Sequence, residues 1–150
     1  MRKLIITPKK LHRENDNING PTVIKVPKWI NNPLGRYYMY FAHHKGSHIK
    51  LAYSNNLLGR WNIYQKGVLD INQINGIDHI ASPEIYFKNN KIVMIYHSVY
   101  DKESQLSSSA ISDDGINFIP DQEKFSLFDQ MEFFLDVLEF EVCLLVFYVV

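Results

Sequence analysis

The sequence contains the same succession of β-strand signals twice, at an offset of about 60 residues. In each copy, a strand that begins at a proline precedes an apolar strand, a third strand that ends in serine, and a turn before an aromatic residue. The copies span residues 20–61 and 82–118. One small sheet cannot bury both of its faces, so repeated sheets of this kind stack in a radial array. The repeat therefore predicts an all-β fold with two neighbouring four-stranded antiparallel sheets, or blades. Because a ring of blades needs at least about four, the two copies form only part of one.

Turn and strand signals predict the domain limits. Residues 1–17 are polar and without period, and we interpret them as an extended lead-in. The first blade is expected at about residues 18–69 and the second at about 78–118. Strong turn signals, such as Asp113-Asp114-Gly115, separate the strands.

The charge distribution changes where the repeat ends. Residues 1–118 carry 15 Lys/Arg and 9 Asp/Glu, whereas residues 119–150 carry 1 and 7. Acidic residues at spacings of three and four favour an amphipathic helix over about 127–141, and residues 142–150 are an apolar run. We therefore expect an irregular or helical tail over 119–150, and deletion of 120–150 should barely change stability. This change also favours the hypothesis of a truncated product whose reading frame shifts near residue 120.

Composition excludes several classes of function. The 150 residues have no net charge, so neither nucleic acid nor a membrane is an expected partner. A single cysteine, Cys143, excludes an internal disulfide, and the apolar stretch Leu4–Ile6 is too short for a signal peptide, which together predict a cytoplasmic protein. The sequence has no dinucleotide or phosphate-loop motif and no zinc-ligand spacing, so we expect no cofactor and no metal.

The repeated motifs resemble one known family of folds. The string Ser-Asn-Asn-Leu-x-Gly-x-Trp (Ser54 to Trp61), its second copy Ser112 to Phe118, the proline-initiated first strand and the tyrosine-rich second strand are similar to the five-bladed β-propeller glycoside hydrolases of families 43 and 32. The resemblance covers about residues 18–118, which would be two blades of five.

The resemblance also implies a chemistry. Hydrolysis of a glycosidic bond needs one carboxylic acid to protonate the leaving oxygen and a second carboxylate to act on water or the sugar. In the family, the acid of the first blade stands directly before the proline of the first strand, and this position is Gly20 here. The family's other catalytic acids come from later blades. No catalytic residue is carried over to this sequence, and the chain alone is expected to be inactive.

The resemblance places the start of each first strand at the propeller axis. The candidate substrate-binding residues are therefore Asp78, His79 and Glu84 from the second blade and His43 and His44 from a turn of the first. Carboxylate and imidazole groups can hydrogen-bond to sugar hydroxyls. The structural alternatives are that Asp78 caps a turn, that His79 bonds to backbone and that Glu84 pairs with a neighbouring cation.

Three functions remain open at this point. The first is a glycosidase-like propeller that hydrolyses or binds carbohydrate, which is the expected ancestry. The second is a non-catalytic module that binds carbohydrate or another protein, which the glycine at residue 20 favours. The third is a truncated, inactive product, which we favour for this polypeptide. In each case a partner chain could be needed to cover exposed blade faces.

Overall fold

The computed structural model describes residues 5–11, 18–43, 45–74, 76–100 and 105–125. These residues form two four-stranded antiparallel sheets, each of which follows the chain without a crossover. The first contains β1 (Asn19–Lys25), β2 (Tyr37–Ala42), β3 (His48–Ser54) and β4 (Asn62–Asp70). The second contains β5 (Ile80–Lys88), β6 (Lys91–Val99), β7 (Gln105–Ser112) and β8 (Ile119–Phe125). The prediction of an all-β fold with two four-stranded blades is confirmed.

The first sheet is covered on both faces. Five of the six residues of β2 are buried, although the side chains of a strand alternate between faces. Such a strand needs packing partners on both sides, which explains why β2 is apolar throughout instead of alternating with polar residues. One partner is the second sheet, and the other is the lead-in.

Tyr38 and Tyr40 fill the interface between the two sheets. Both are fully buried, and burial raises the pKa of each phenol. The Tyr40 hydroxyl donates to the Gly115 carbonyl at 2.8 Å, and its ring meets Phe118 edge-on with centroids 5.8 Å apart. A buried hydroxyl needs such a partner. This tyrosine therefore joins the blades by both packing and a hydrogen bond.

The lead-in covers the opposite face of the first sheet. Ile5, Ile6 and Leu11 pack against a cluster that includes Phe41 and Trp61. Residues Pro8–Leu11 form a 3₁₀ helix. The apolar contacts of the lead-in bury surface that the first blade would otherwise leave in water.

The repeated turns are built on serine hydroxyls. Ser54 Oγ lies 2.8 Å from the carbonyl oxygens of both Asn56 and Arg60. Ser112 Oγ accepts the Gly115 N–H at 2.9 Å and donates to Asp114. Burial alone would raise the pKa of Asp114. The hydrogen bonds that its carboxylate accepts within the turn have the larger combined effect, so the pKa of Asp114 is lowered.

The fourth strand of the second sheet, at Ile119–Phe125, lies at the sheet edge. β8 starts at Ile119 and pairs with β7 through Ala110 and Pro120. Proline has no N–H to donate, and an edge strand tolerates it because one side of the strand forms no backbone hydrogen bonds to a neighbouring strand. The expected helix over 127–141 and the apolar run after it lie outside the described residues. Among the residues that the structure describes, no helix is long and apolar enough to cross a membrane.

Candidate functional site

The starts of β1 and β5 lie at the same end of the molecule, which we call the axial end. Asn19 pairs with Ala42 just before the turn at residues 43–47, and the Ile80 N–H donates to the Gly46 carbonyl of that turn at 3.0 Å. The first strands of the two sheets also meet directly, because the Thr22 hydroxyl donates to the Pro83 carbonyl at 2.6 Å. Residues at these strand starts therefore share one surface.

Gly20 and Ser82 hold equivalent positions in the two blades. Each precedes a proline, and each stands at an irregularity in the pairing of its strand. Both have a left-handed backbone, with φ of 53° and 52°. A Cβ added to Gly20 would lie 2.9 Å from the Ser82 Cα. A side chain at the position that holds the acid in the resembled family would thus press on the Ser82 backbone, which would have to shift.

Asp78 and His79 form a hydrogen-bonded pair just before β5. The His79 Nδ1 lies 3.0 Å from the Asp78 Oδ2, and the two side chains are 16% and 58% exposed. Such a contact fixes the imidazole ring and leaves Nε2 as its other polar atom. The Ser98 hydroxyl donates to the His79 carbonyl at 2.7 Å, which holds the backbone as well. Two of the sequence-predicted residues are therefore brought together.

His97 belongs to the same cluster, although no sequence motif points to it. Its ring meets the His79 ring edge-on, with centroids 5.7 Å apart at 89°. Burial and the nearby His79 lower its pKa, so the neutral form is favoured. The register of the β5–β6 hairpin is the sequence signal that could indicate His97. Counting outward from the pair Lys88 and Lys91 places His97 opposite Ser82, near the start of β5. The irregularity in β5 shifts the partner of His97 to Ala81.

Glu84 lies three residues after Ala81 on β5. It pairs with Ile95, and Ala81 pairs with His97. Residues 95 and 97 are two apart and share a face of the sheet, so Glu84 and His97 share it too. Diagonal neighbours of this kind are about 7–8 Å apart between their backbones, within reach of long side chains. The Glu84 side chain is exposed and can contribute a carboxylate to the same surface.

The turn of the first blade borders this surface. His43 is half-buried, and its carbonyl accepts the Gly46 N–H at 2.9 Å, which closes the turn that contacts Ile80. His44 lies outside the described residues. His79 thus contacts both Asp78 and His97, Glu84 shares a face of the sheet with His97, and His43 lies at the neighbouring turn. We call the first four of these residues the axial cluster.

The axial cluster offers hydrogen-bonding groups of both kinds. Carboxylate oxygens accept, and neutral imidazoles both donate and accept. Among the described residues, no group of three or more His, Cys, Asp or Glu side chains has a metal-binding arrangement. The carboxylate and imidazole groups of the axial cluster can form hydrogen bonds with a polar ligand.

The relatives that this chain matches in sequence and structure are longer than it is. No protein-family model matches the chain. Uncharacterized protein R118 of Acanthamoeba polyphaga mimivirus is 38% identical over a match that covers 70% of this chain and 36% of that protein. The chain therefore spans about a third of the length of this relative.

Several solved structures share the fold. One is CoXyl43, a GH43 beta-xylosidase/alpha-arabinofuranosidase from a compost microbial metagenome in complex with xylotriose, at 18% identity and a TM-score of 0.58 over 75% of this chain and 36% of that one. Another is the GH43_1 enzyme from Xanthomonas citri complexed with xylotriose, at 10% identity and a TM-score of 0.61 over 79% and 38%. These likenesses, together with the two antiparallel sheets, show that the chain has the fold of a partial β-propeller of the family 43 glycoside hydrolase type.

Proposed function

We propose that the axial cluster binds carbohydrate and that this chain does not hydrolyse it. The contact between Gly20 and Ser82 carries the proposal, because it fills with backbone the position of one catalytic acid. A glycosidase needs two suitably placed carboxyl groups. With that position closed, the neighbouring groups can still bind a sugar.

The remaining polar groups suit hydroxyl recognition. Asp78 fixes His79, and His79 in turn contacts His97, so the two imidazoles are held before a ligand arrives. Groups held in advance lose little conformational entropy on binding, which favours affinity. Glu84 adds an exposed carboxylate on the same face. Xylotriose is the natural first probe, since two structures with the same fold contain it.

Calorimetric titration of the full chain with xylotriose tests the binding. We expect saturable binding that His97→Ala weakens by about 3- to 10-fold, the value of one lost hydrogen bond. Lys28→Ala, an exposed lysine at the opposite end of the first blade, serves as the control and should bind like the parent. Equal affinity in all three proteins would remove the axial cluster as the site.

Hydrolysis is tested separately with an aryl xyloside. Loss of one member of an acid/base pair typically lowers a rate by about 10²–10⁴ or more, and we expect no turnover above the blank. Turnover that Glu84→Gln abolishes would show instead that the chain is an active glycosidase.

Exposed apolar residues favour an alternative function, a protein-interaction module. Trp29 and Phe87 meet edge-on at 5.6 Å and are 38% and 46% exposed, at the end of the sheets opposite the axial cluster. Leu58, in the turn after β3, is 85% exposed at that end of the first sheet. Binding of xylotriose distinguishes the two functions. A chain that does not bind xylotriose but self-associates or binds another protein through Leu58 would support the protein-interaction function.

A further inference from the structure

A groove crosses the outer edge of the interface between the two blades, and none of the axial-cluster residues lines it. Its cavity is about 200 Å³. The first blade contributes Tyr64, Lys66 and Asp70, and the second contributes Asn117 and Phe118. We call it the rim groove.

An irregularity in β4 forms one wall of the rim groove. Tyr64 pairs with Leu51 and Leu69 pairs with Ile49, so residues 65–68 stand opposite the single residue Lys50. Gly67 has a φ of 72°, and a Cβ there would lie 2.9 Å from the His48 ring. A side chain at residue 67 would therefore be strained and crowded. The bulge is a fixed feature of the strand, and such bulges often re-aim side chains beside functional sites.

The floor of the rim groove is apolar and its edge is polar. Val68, Leu69 and Phe118 are buried beneath it. Lys66 is exposed, and its ammonium makes no hydrogen bond or ion pair with any residue that the structure describes. An apolar floor with a few polar groups is typical of small-ligand sites.

Two residues with hydrogen-bond acceptors, Asp70 and Asn117, line the other sides of the rim groove. The Asp70 carboxylate caps the 3₁₀ helix at Ile71–Gln73 by accepting from the Asn72 and Gln73 backbone N–H groups, and Asn117 donates its amide to Asp114, which leaves the Asn117 amide oxygen as an acceptor. The groove thus presents a donor cation, an acceptor anion and an amide oxygen around the apolar floor. The opposite charges of Lys66 and Asp70 favour a ligand without net charge.

We propose that the rim groove is a second carbohydrate site, which takes a single neutral sugar ring. A sugar ring has apolar C–H faces and hydroxyls at its edges, which matches the floor and the edge of the groove. The cavity is smaller than the ~300 Å³ at which pockets for drug-sized ligands begin, so one ring fits better than an oligosaccharide. This site does not depend on the axial cluster.

Amide chemical shifts of the full chain, titrated with xylose, test this site. We expect saturable shifts at residues 66–70 and 116–118, and none with erythritol, an open-chain polyol. Lys66→Glu should weaken the effect by about 3- to 30-fold, because a charged hydrogen bond is lost. Lys28→Glu makes the same charge change elsewhere on the first blade and should leave it intact.

The two sites are separated with His97→Ala. That variant should lose any shifts at Ala81 and Glu84 but keep those of the rim groove. Absence of saturable shifts at residues 66–70 and 116–118 in the parent chain would overturn the proposal. Equal weakening by Lys66→Glu and Lys28→Glu, or an equal response to erythritol, would overturn it too.

Discussion

Gly20 and Ser82 decide which side chains the axial end can hold. Their backbones approach so closely that a Cβ on Gly20 would lie 2.9 Å from the Ser82 Cα. Ser82 itself has a φ of 52°, a conformation that costs L-residues about 1–2 kcal/mol. Strained residues of this kind concentrate at sites of function. The serine is exposed at this end.

Gly20→Asp tests the closure of this position. The aspartate would need a left-handed backbone and would press on Ser82, so we expect a loss of about 2–5 kcal/mol from the free energy of unfolding. Ser82→Gly is the control. Ser82→Gly relieves the strain of the left-handed backbone but increases the conformational entropy of the unfolded chain. The two effects oppose each other, so the free energy of unfolding should change little. Urea unfolding measures the free energy of unfolding of both variants. A Gly20→Asp protein as stable as the parent would show that this position has space for an acidic side chain.

His97 should make the stability of the chain depend on pH. Burial and His79 lower its pKa in the folded state below the ordinary value of ~6.5. The unfolded chain then binds more protons between these two values, so stability falls as the pH falls through that window. We expect the free energy of unfolding to drop less between about pH 7.5 and about pH 5 in His97→Gln than in the parent. Equal drops would show that His97 titrates as in an unfolded peptide.

At the scale of the elements, the strands could be predicted and their irregularities could not. β3 and β7 lie where alternation and turn residues indicate, at His48–Ser54 and Gln105–Ser112. The cluster of His79 and His97 depends on cross-strand register, which the bulge near Ala81 changes by one residue. The placement of Gly20 against Ser82 depends on how two sheets stack, and no local pattern contains that information. The sequence therefore does not reveal His97, because its place depends on the cross-strand register. It does not reveal the contact between Gly20 and Ser82, because that contact depends on sheet stacking.

β8 supplies the outer strand of the second sheet. A chain that ends at Phe118 lacks this strand and exposes the β7 edge beside Ala110, which is fully buried. We expect it to melt at least several degrees below a chain that ends at Phe125, since each kcal/mol corresponds to roughly 4 °C at this size. The pair differs in residues 119–125 alone, so calorimetry isolates the strand. Equal melting temperatures would show that β8 adds nothing to the fold.

At the scale of the whole molecule, Tyr40 couples the blades. Tyr40→Phe would leave the buried Gly115 carbonyl without its donor, and we expect a loss of about 1–3 kcal/mol. Tyr53→Phe is the matched control on the neighbouring strand, because the Tyr53 hydroxyl makes no hydrogen bond to any described residue. It should change stability by less than about 0.5 kcal/mol. If the two variants are equally stable, the contact does not hold the blades together.

Proton NMR of xylotriose in the presence of the full chain tests the central claim most directly, because one sample reports both binding and hydrolysis. Saturation transferred from the protein should reach the sugar protons, and His97→Ala should reduce this transfer. The anomeric signals should stay those of the intact trisaccharide throughout, as expected for a propeller whose axial end binds sugar but has Gly20 in place of an acid. New anomeric signals of xylobiose or xylose, or the absence of any transfer to the sugar, would contradict the account.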